Sequence, residues 1–156
     1  MTARDTAGSR AALGRVGAIL LVFLCPWAVV LANGELTAVL PFALFDPQPF
    51  HLTLLQDYLF RFTGGFASLP PFLQAWPLAT LALLAALAAA VAAYATGRED
   101  PRVTGGLLVL AGITSFRLAF GFLARPNQTA IPVGGFVAIV LAWWLYWPLV
   151  RRQFVG

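Results

Sequence analysis

The stretch Leu81-Ala-Leu-Leu-Ala-Ala-Leu-Ala-Ala-Ala-Val-Ala-Ala93 contains nothing but leucine, alanine and valine. With its flanks it reads as one apolar segment from Phe72 to Tyr94, set behind Pro70-Pro71. A helix needs about 20 such residues to cross a ~30 Å hydrocarbon core, and this run supplies them. Its small side chains let backbones approach closely in lipid, where tight packing replaces the hydrophobic drive between helices. The segment therefore predicts a membrane-spanning helix inside a bundle.

The whole composition points to the same solvent. Sixty per cent of the 156 residues are hydrophobic and 10% charged, against roughly 45–50% and 25% in soluble domains. A soluble fold of this size could not hide so much apolar surface. The net charge of +4 invites a nucleic-acid reading, but the arginines stand in ones and twos beside apolar segments and form no basic face. All ten basic residues are Arg and none is Lys, a usage that suits a GC-rich genome or a halophile. Cys25 is the one cysteine, which excludes an intrachain disulfide and a cysteine-based metal cluster.

Working outward, three more segments read as spans, giving four in all at about 16–33, 72–95, 103–124 and 131–150. Pro26 falls inside the first and is expected to kink it, as membrane helices tolerate. Signal-peptide cleavage after Val30-Leu31-Ala32 is the competing reading of that segment, against which its apolar run is longer than a usual h-region. The third span carries Gly105, Gly112 and Ala119 as a stripe of small residues. The fourth ends in Trp143, Trp144, Tyr146 and Trp147 before Arg151-Arg152, the aromatic belt and basic flank that fix a helix end at the interface. Between the first two spans, residues 34–71 read as an outer interfacial region. Its apolar piece from Thr37 to Phe45 is too short to cross. Leu52, Leu55, Leu59 and Phe62 then repeat at helical spacing, with Gln56, Asp57 and Arg61 as polar positions, which predicts an amphipathic helix over 50–62. The expected fold class is an all-α membrane protein of four transmembrane helices plus that interfacial helix. Residues 1–15 and 151–156 are expected as cytoplasmic tails, the first without regular structure.

Orientation follows from the arginines. Arg4, Arg10, Arg15, Arg98, Arg102, Arg151 and Arg152 fall on one side of this layout, and Arg61 and Arg125 on the other. Short loops rich in Arg face the cytoplasm, so the expected localisation is the cell membrane with both termini cytoplasmic. No internal repeat is evident, so the usual pointer to an inverted-repeat transporter is missing.

Few residues could carry chemistry. Arg117 lies within the third span, where an ionisable group is costly and by default suggests a functional site. It is also about seven residues from the outer end, or ~10 Å, within reach of snorkelling to the headgroups. Asp57 is the expected partner, in a functional or structural ion pair with Arg117, and Arg61 competes for it as an i,i+4 neighbour. His51 has no second histidine to share a metal with. Cys25 reads as a small packing residue. Asn127-Gln-Thr129 matches a glycosylation sequon but stands close to two spans. The Glu99-Asp100 acids with Arg98 and Arg102 read as a salt-bridged turn. No catalytic, cofactor or metal constellation is present, and the chain is not expected to be an enzyme.

Several pieces together carry a resemblance: Cys25-Pro-Trp27, Phe50-His-Leu-Thr-Leu-Leu-Gln-Asp-Tyr-Leu-Phe60, Ala75-Trp-Pro77, Gly97-Arg-Glu-Asp-Pro-Arg102, Gly105-Gly-Leu-Leu-Val-Leu-Ala-Gly112 and Trp143-Trp-Leu-Tyr-Trp-Pro148. In their order the chain resembles an uncharacterised family of small haloarchaeal multi-pass membrane proteins. The resemblance implies a membrane location and brings no catalytic residues. The expected role is a structural or accessory component acting through helix–helix contacts. Its partners would be the lipid bilayer and a membrane protein or second copy of the chain, with no nucleic acid and no cofactor. The alternative is a small transporter, channel-like or sensing subunit using Arg117 and the acidic outer loop of Glu35, Asp46 and Asp57.

Overall fold

A computed structural model describes residues 3–98 and 100–155. Four long helices pack side by side, and a five-stranded antiparallel sheet covers one end of them. The chain runs α1 (Ala3–Leu24), β1 (Ala28–Ala32), β2 (Glu35–Val39), β3 (Ala43–Pro47), β4 (Phe50–Leu54) and the single turn α2 (Leu55–Asp57). A π-helical turn, Tyr58–Phe62, and a 3-10 turn, Phe66–Ser68, lead to α3 (Ala75–Thr96) and α4 (Pro101–Leu123). Strand β5 (Gln128–Ile131) precedes a last helix made of α5 (Val133–Leu141), a π-helical turn Ala142–Tyr146, and α6 (Trp147–Val155). Strand order is β4-β3-β2-β1-β5.

The sheet overturns the all-α expectation. The predicted first span, 16–33, is not one helix: α1 ends at Leu24 and the remainder of the segment becomes β1. Pro26 terminates the helix where a kink was expected. Proline disfavours α geometry at the residue before it and supplies no N–H of its own. Cys25 N closes the last turn on the Val22 carbonyl at 3.0 Å, and Trp27 N already donates to Val39 in the sheet at 2.7 Å. Val29 and Val30 then favour strand. Asn33 and Gly34 both have positive φ, 53° and 87°, which makes the two-residue type I′ connection of a tight hairpin. Ala32 pairs with Glu35 across it.

The interfacial region is corrected in the same way. Residues 35–54 are three strands of the sheet, and the predicted amphipathic helix over 50–62 begins only at Leu55. The amino-terminal segment expected as an unstructured tail is the first half of α1. Three helices among the described residues are long and apolar enough to cross a membrane: Ala75–Thr96, Pro101–Leu123 and Val133–Arg152. The uninterrupted apolar run of α1 is Val16–Leu24, ~14 Å of helix and about half a hydrocarbon core.

Inside the bundle most side chains are small, with Leu83, Leu108, Leu118 and Tyr146 as the large exceptions. Ala79, Ala82, Ala86, Ala90 and Ala93 form the buried stripe of α3. It packs on α4, which buries Thr104, Gly105, Leu108, Ala111, Gly112, Ser115 and Ala119. The predicted stripe of small residues is used where α4 meets the last helix. A Cβ on Gly112 would lie 2.7 Å from Ile139 Cγ1 and 3.0 Å from the Gly135 carbonyl oxygen, and one on Gly105 would lie 2.9 Å from Tyr146 Cβ. Large apolar side chains point outward instead: Leu81 is 61% exposed, Ile113 57% and Phe136 60%.

Candidate functional site

At the sheet end, two side chains of the first turns of α3 clamp the β2–β3 connection. Trp76 is fully buried and its indole Nε1 donates to the Leu40 carbonyl at 2.8 Å. The Thr80 hydroxyl donates to the Pro41 carbonyl. These bonds satisfy carbonyls that the turn cannot pair within the sheet. Trp27 fills the junction between α1 and β1, and Gly134 N donates to the Pro26 carbonyl at 2.8 Å beside it. A Cβ on Gly134 would meet the Trp27 ring at 2.7 Å, so glycine lets α5 start against the indole. Phe72 sits likewise in the notch of Gly121, with Arg125 4.5 Å over its ring.

The residues singled out in the sequence do not gather into a site. Arg117 lies exposed on α4, and Asp57 ion-pairs with Arg61 at 3.7 Å in the i,i+4 arrangement. No ion pair joins Asp57 to Arg117 among the described residues. Thr114 donates to the Leu110 carbonyl at 2.7 Å and Ser115 to that of Gly112 at 2.8 Å, so both hydroxyls are spent on their own helix. His51 is exposed on edge strand β4, and Asp46 accepts from Thr37 across the β2–β3 pair. Asn127 has φ 58° in the turn before β5. Cys25 closes α1, and burial pushes its thiol up from the ordinary value. Less thiolate at neutral pH makes it a poor nucleophile. In the Gly97–Pro101 turn, Asp100 caps α4 by accepting from Arg102 N at 3.0 Å. Glu99, the other acid of that predicted salt-bridged turn, lies outside the described residues. Among the described residues no three His, Cys, Asp or Glu side chains converge as metal ligands.

A groove that sequence reasoning missed opens at the opposite end, between the first turns of α4 and the last helix. Gly105, Gly106 and Ala142 form its floor, Val109, Trp143 and Trp147 its walls, and Arg102 lies at its mouth. Trp143 and Trp147 stack in parallel, 5.0 Å apart with an 8° interplanar angle. Trp147 is shared with an adjoining depression lined by Pro148, Arg151 and Arg152. The groove lies where the last helix widens into its π-helical turn, a local change of pitch often found at functional places. Gly105-Gly106 opposite Trp143-x-x-x-Trp147 was the available signal. It is visible only once the two helices are known to be antiparallel neighbours.

The fold thus defines a helical bundle capped at one end by an antiparallel sheet, with three helices able to cross a membrane. Residues 2–155 match the family described as a domain of unknown function, DUF8050, and the chain belongs to that family. The comparison with curated proteins finds no match.

Proposed function

We propose that this protein is a multi-pass cell-membrane protein that acts as a non-catalytic structural or accessory component, through contacts between its helices and those of a partner or a second copy. The observation that carries the membrane reading is the inverted packing of the bundle. Alanine and glycine lie inside on α3 and α4, while Leu81, Leu110, Ile113, Phe120, Phe136 and Trp144 face out. Water would penalise that surface heavily, and lipid does not. In this reading the arginine-rich end faces the cytoplasm and the sheet faces outside, following the bias of arginine across the bundle. The lysine-free composition supports a haloarchaeal source. Arg117, exposed six residues before the end of α4, fits a guanidinium reaching up to the headgroups at the sheet side.

The accessory reading is favoured over transport because the interior is mostly apolar, and the Thr114 and Ser115 hydroxyls of α4 are turned onto backbone carbonyls. The test is extraction and copurification. The chain is expected to stay with membranes through an alkaline carbonate wash and to leave them only with detergent. In mild detergent it should then run with a stoichiometric partner or a second copy. Release by carbonate overturns the membrane reading. A monodisperse monomer that moves an ion across vesicles overturns the accessory one.

A further inference from the structure

We propose that the groove between α4 and the last helix is a binding site for an anionic phospholipid, with one acyl chain along its floor and the headgroup phosphate against Arg151 and Arg152. The inference rests on the membrane reading above and adds a ligand to it.

Three observations carry it. The first is shape. The floor is made of residues without bulk, and a Cβ added to Gly106 would meet nothing within 4 Å. The groove runs from Pro101 to Val109 on one helix and from Val150 back to Ala142 on the other. About eight residue steps on each side make it ~12 Å long, close to the ~15 Å depth of one leaflet's hydrocarbon. The second is chemistry along that length. The deep part is lined by Val109, Trp143 and Gly105, and the arginines come only at the end. An apolar slot closed by cations at one end matches a molecule with an apolar chain and an anionic head, and matches a soluble anion poorly. The third is charge. In the loop and tail at this end Arg98, Arg102, Arg151 and Arg152 outnumber Glu99 and Asp100. Basic pockets between membrane helices on the cytoplasmic side select anionic headgroups in this way. Stacked Trp143 and Trp147 give the slot a rigid wall at the depth where indoles settle.

The experiment uses the full chain in nanodiscs of equimolar phosphatidylglycerol and phosphatidylcholine, released into native mass spectrometry. The wild type is expected to retain one phosphatidylglycerol in preference to phosphatidylcholine. Arg151→Gln and Arg152→Gln should each weaken that preference, by roughly fivefold. Gly106→Leu starts where a Cβ meets nothing within 4 Å and extends into the groove, so it should abolish lipid retention while circular dichroism stays unchanged. Capture of the two lipids in their bulk ratio, retention of phosphatidylglycerol by Gly106→Leu, or an undiminished preference in the double Arg151→Gln, Arg152→Gln variant each overturns the proposal. A chain that reconstitutes but shows any of these leaves the membrane reading standing. A chain that carbonate releases from membranes removes both.

Discussion

The bundle and the sheet that caps it obey opposite packing rules. In α3 and α4 the buried stripe is mostly alanine and glycine, with Leu83, Leu108 and Leu118 among them, and many of the other large side chains face outward. At the sheet end the core is aromatic, with Trp27 and Trp76 fully buried, the Trp76 indole bonded to the Leu40 carbonyl and the Trp27 backbone N–H to that of Val39. Close backbone approach holds the first region, as in the proposed membrane setting, where lipid would offer no reward for hiding leucine. Burial of large apolar area, with the turn carbonyls satisfied, holds the second, as in a water-soluble domain. One chain of 156 residues therefore carries two kinds of core, and substitutions should separate them.

The largest effect is expected in the bundle, from adding volume. Gly112→Val places methyl groups where Ile139 Cγ1 is 2.7 Å and the Gly135 carbonyl oxygen 3.0 Å from a Cβ. Backbone on one side cannot yield as a flexible side chain would, so α4 and α5 must separate. The cost should reach about 3 kcal/mol, the upper part of the usual overpacking range. Thermal unfolding in detergent checks it, with Gly106→Leu on the same helix as the control that meets open space. Equal melting of the two variants would mean that α4 and α5 are not in close contact.

The sheet end should respond to loss of a hydrogen bond. Trp76→Phe keeps most of the ring area against Tyr58, 5.5 Å away, but strands the Leu40 carbonyl that Nε1 now serves. An unsatisfied buried acceptor costs about 1–3 kcal/mol. Hydrogen exchange should quicken in β2 and β3 while α4 and α5 keep their protection. Uniform exchange throughout would show that the two cores unfold as one.

What was legible in the sequence divides along the same line. Three helices were readable because each is an apolar run of some twenty residues, the length a membrane crossing demands. Leu81 to Ala93 and the tryptophans of the last helix leave no other use for such a run. The stripe of Gly105 and Gly112 was readable too, because only close helix contact needs glycine there. The sheet was not, since each strand is four or five residues long and falls inside a span-sized apolar window. Strand alternation was hidden as well: Val29, Val30 and Leu31 read as the end of a hydrophobic span. The overlooked sign was Asn33-Gly34 between Leu31-Ala32 and Glu35-Leu36, the commonest mark of a type I′ hairpin, with Pro26 as a stop before it. Arg117 and Asp57 met a related obstacle. Depth along a helix could be counted from the sequence, but not which side of α4 looks outward, and Asp57 takes its nearer partner in Arg61.

A smaller change tests the hairpin itself. Gly34→Val puts a β-branched residue at φ 87°, a conformation that costs such a side chain on the order of 1–3 kcal/mol. A Cβ there meets nothing within 4 Å, so any loss comes from the backbone alone. Gly34→Asn should recover much of it, because asparagine tolerates the left-handed region. If valine and asparagine at this position melt alike, the turn is not held in that conformation.

The smallest effect is expected from the charges that drew most notice in the sequence. Asp57 and Arg61 are 3.7 Å apart, with the Arg61 side chain 77% exposed. An exposed i,i+4 pair is worth about 0.3–0.5 kcal/mol and less in salt. Asp57→Asn should accordingly shift the melting temperature by a degree or so. Arg117→Gln should change stability just as little, since the exposed guanidinium gives up only its contact with headgroups or solvent. The double variant should equal the sum of the two within about 0.5 kcal/mol, as independent sites do. A coupling above about 1 kcal/mol would bring the two residues together after all, across the boundary between the sheet end and the bundle. Coupling of that size between Asp57 and Arg61 instead would place the pair out of water, which the exposure of Arg61 argues against.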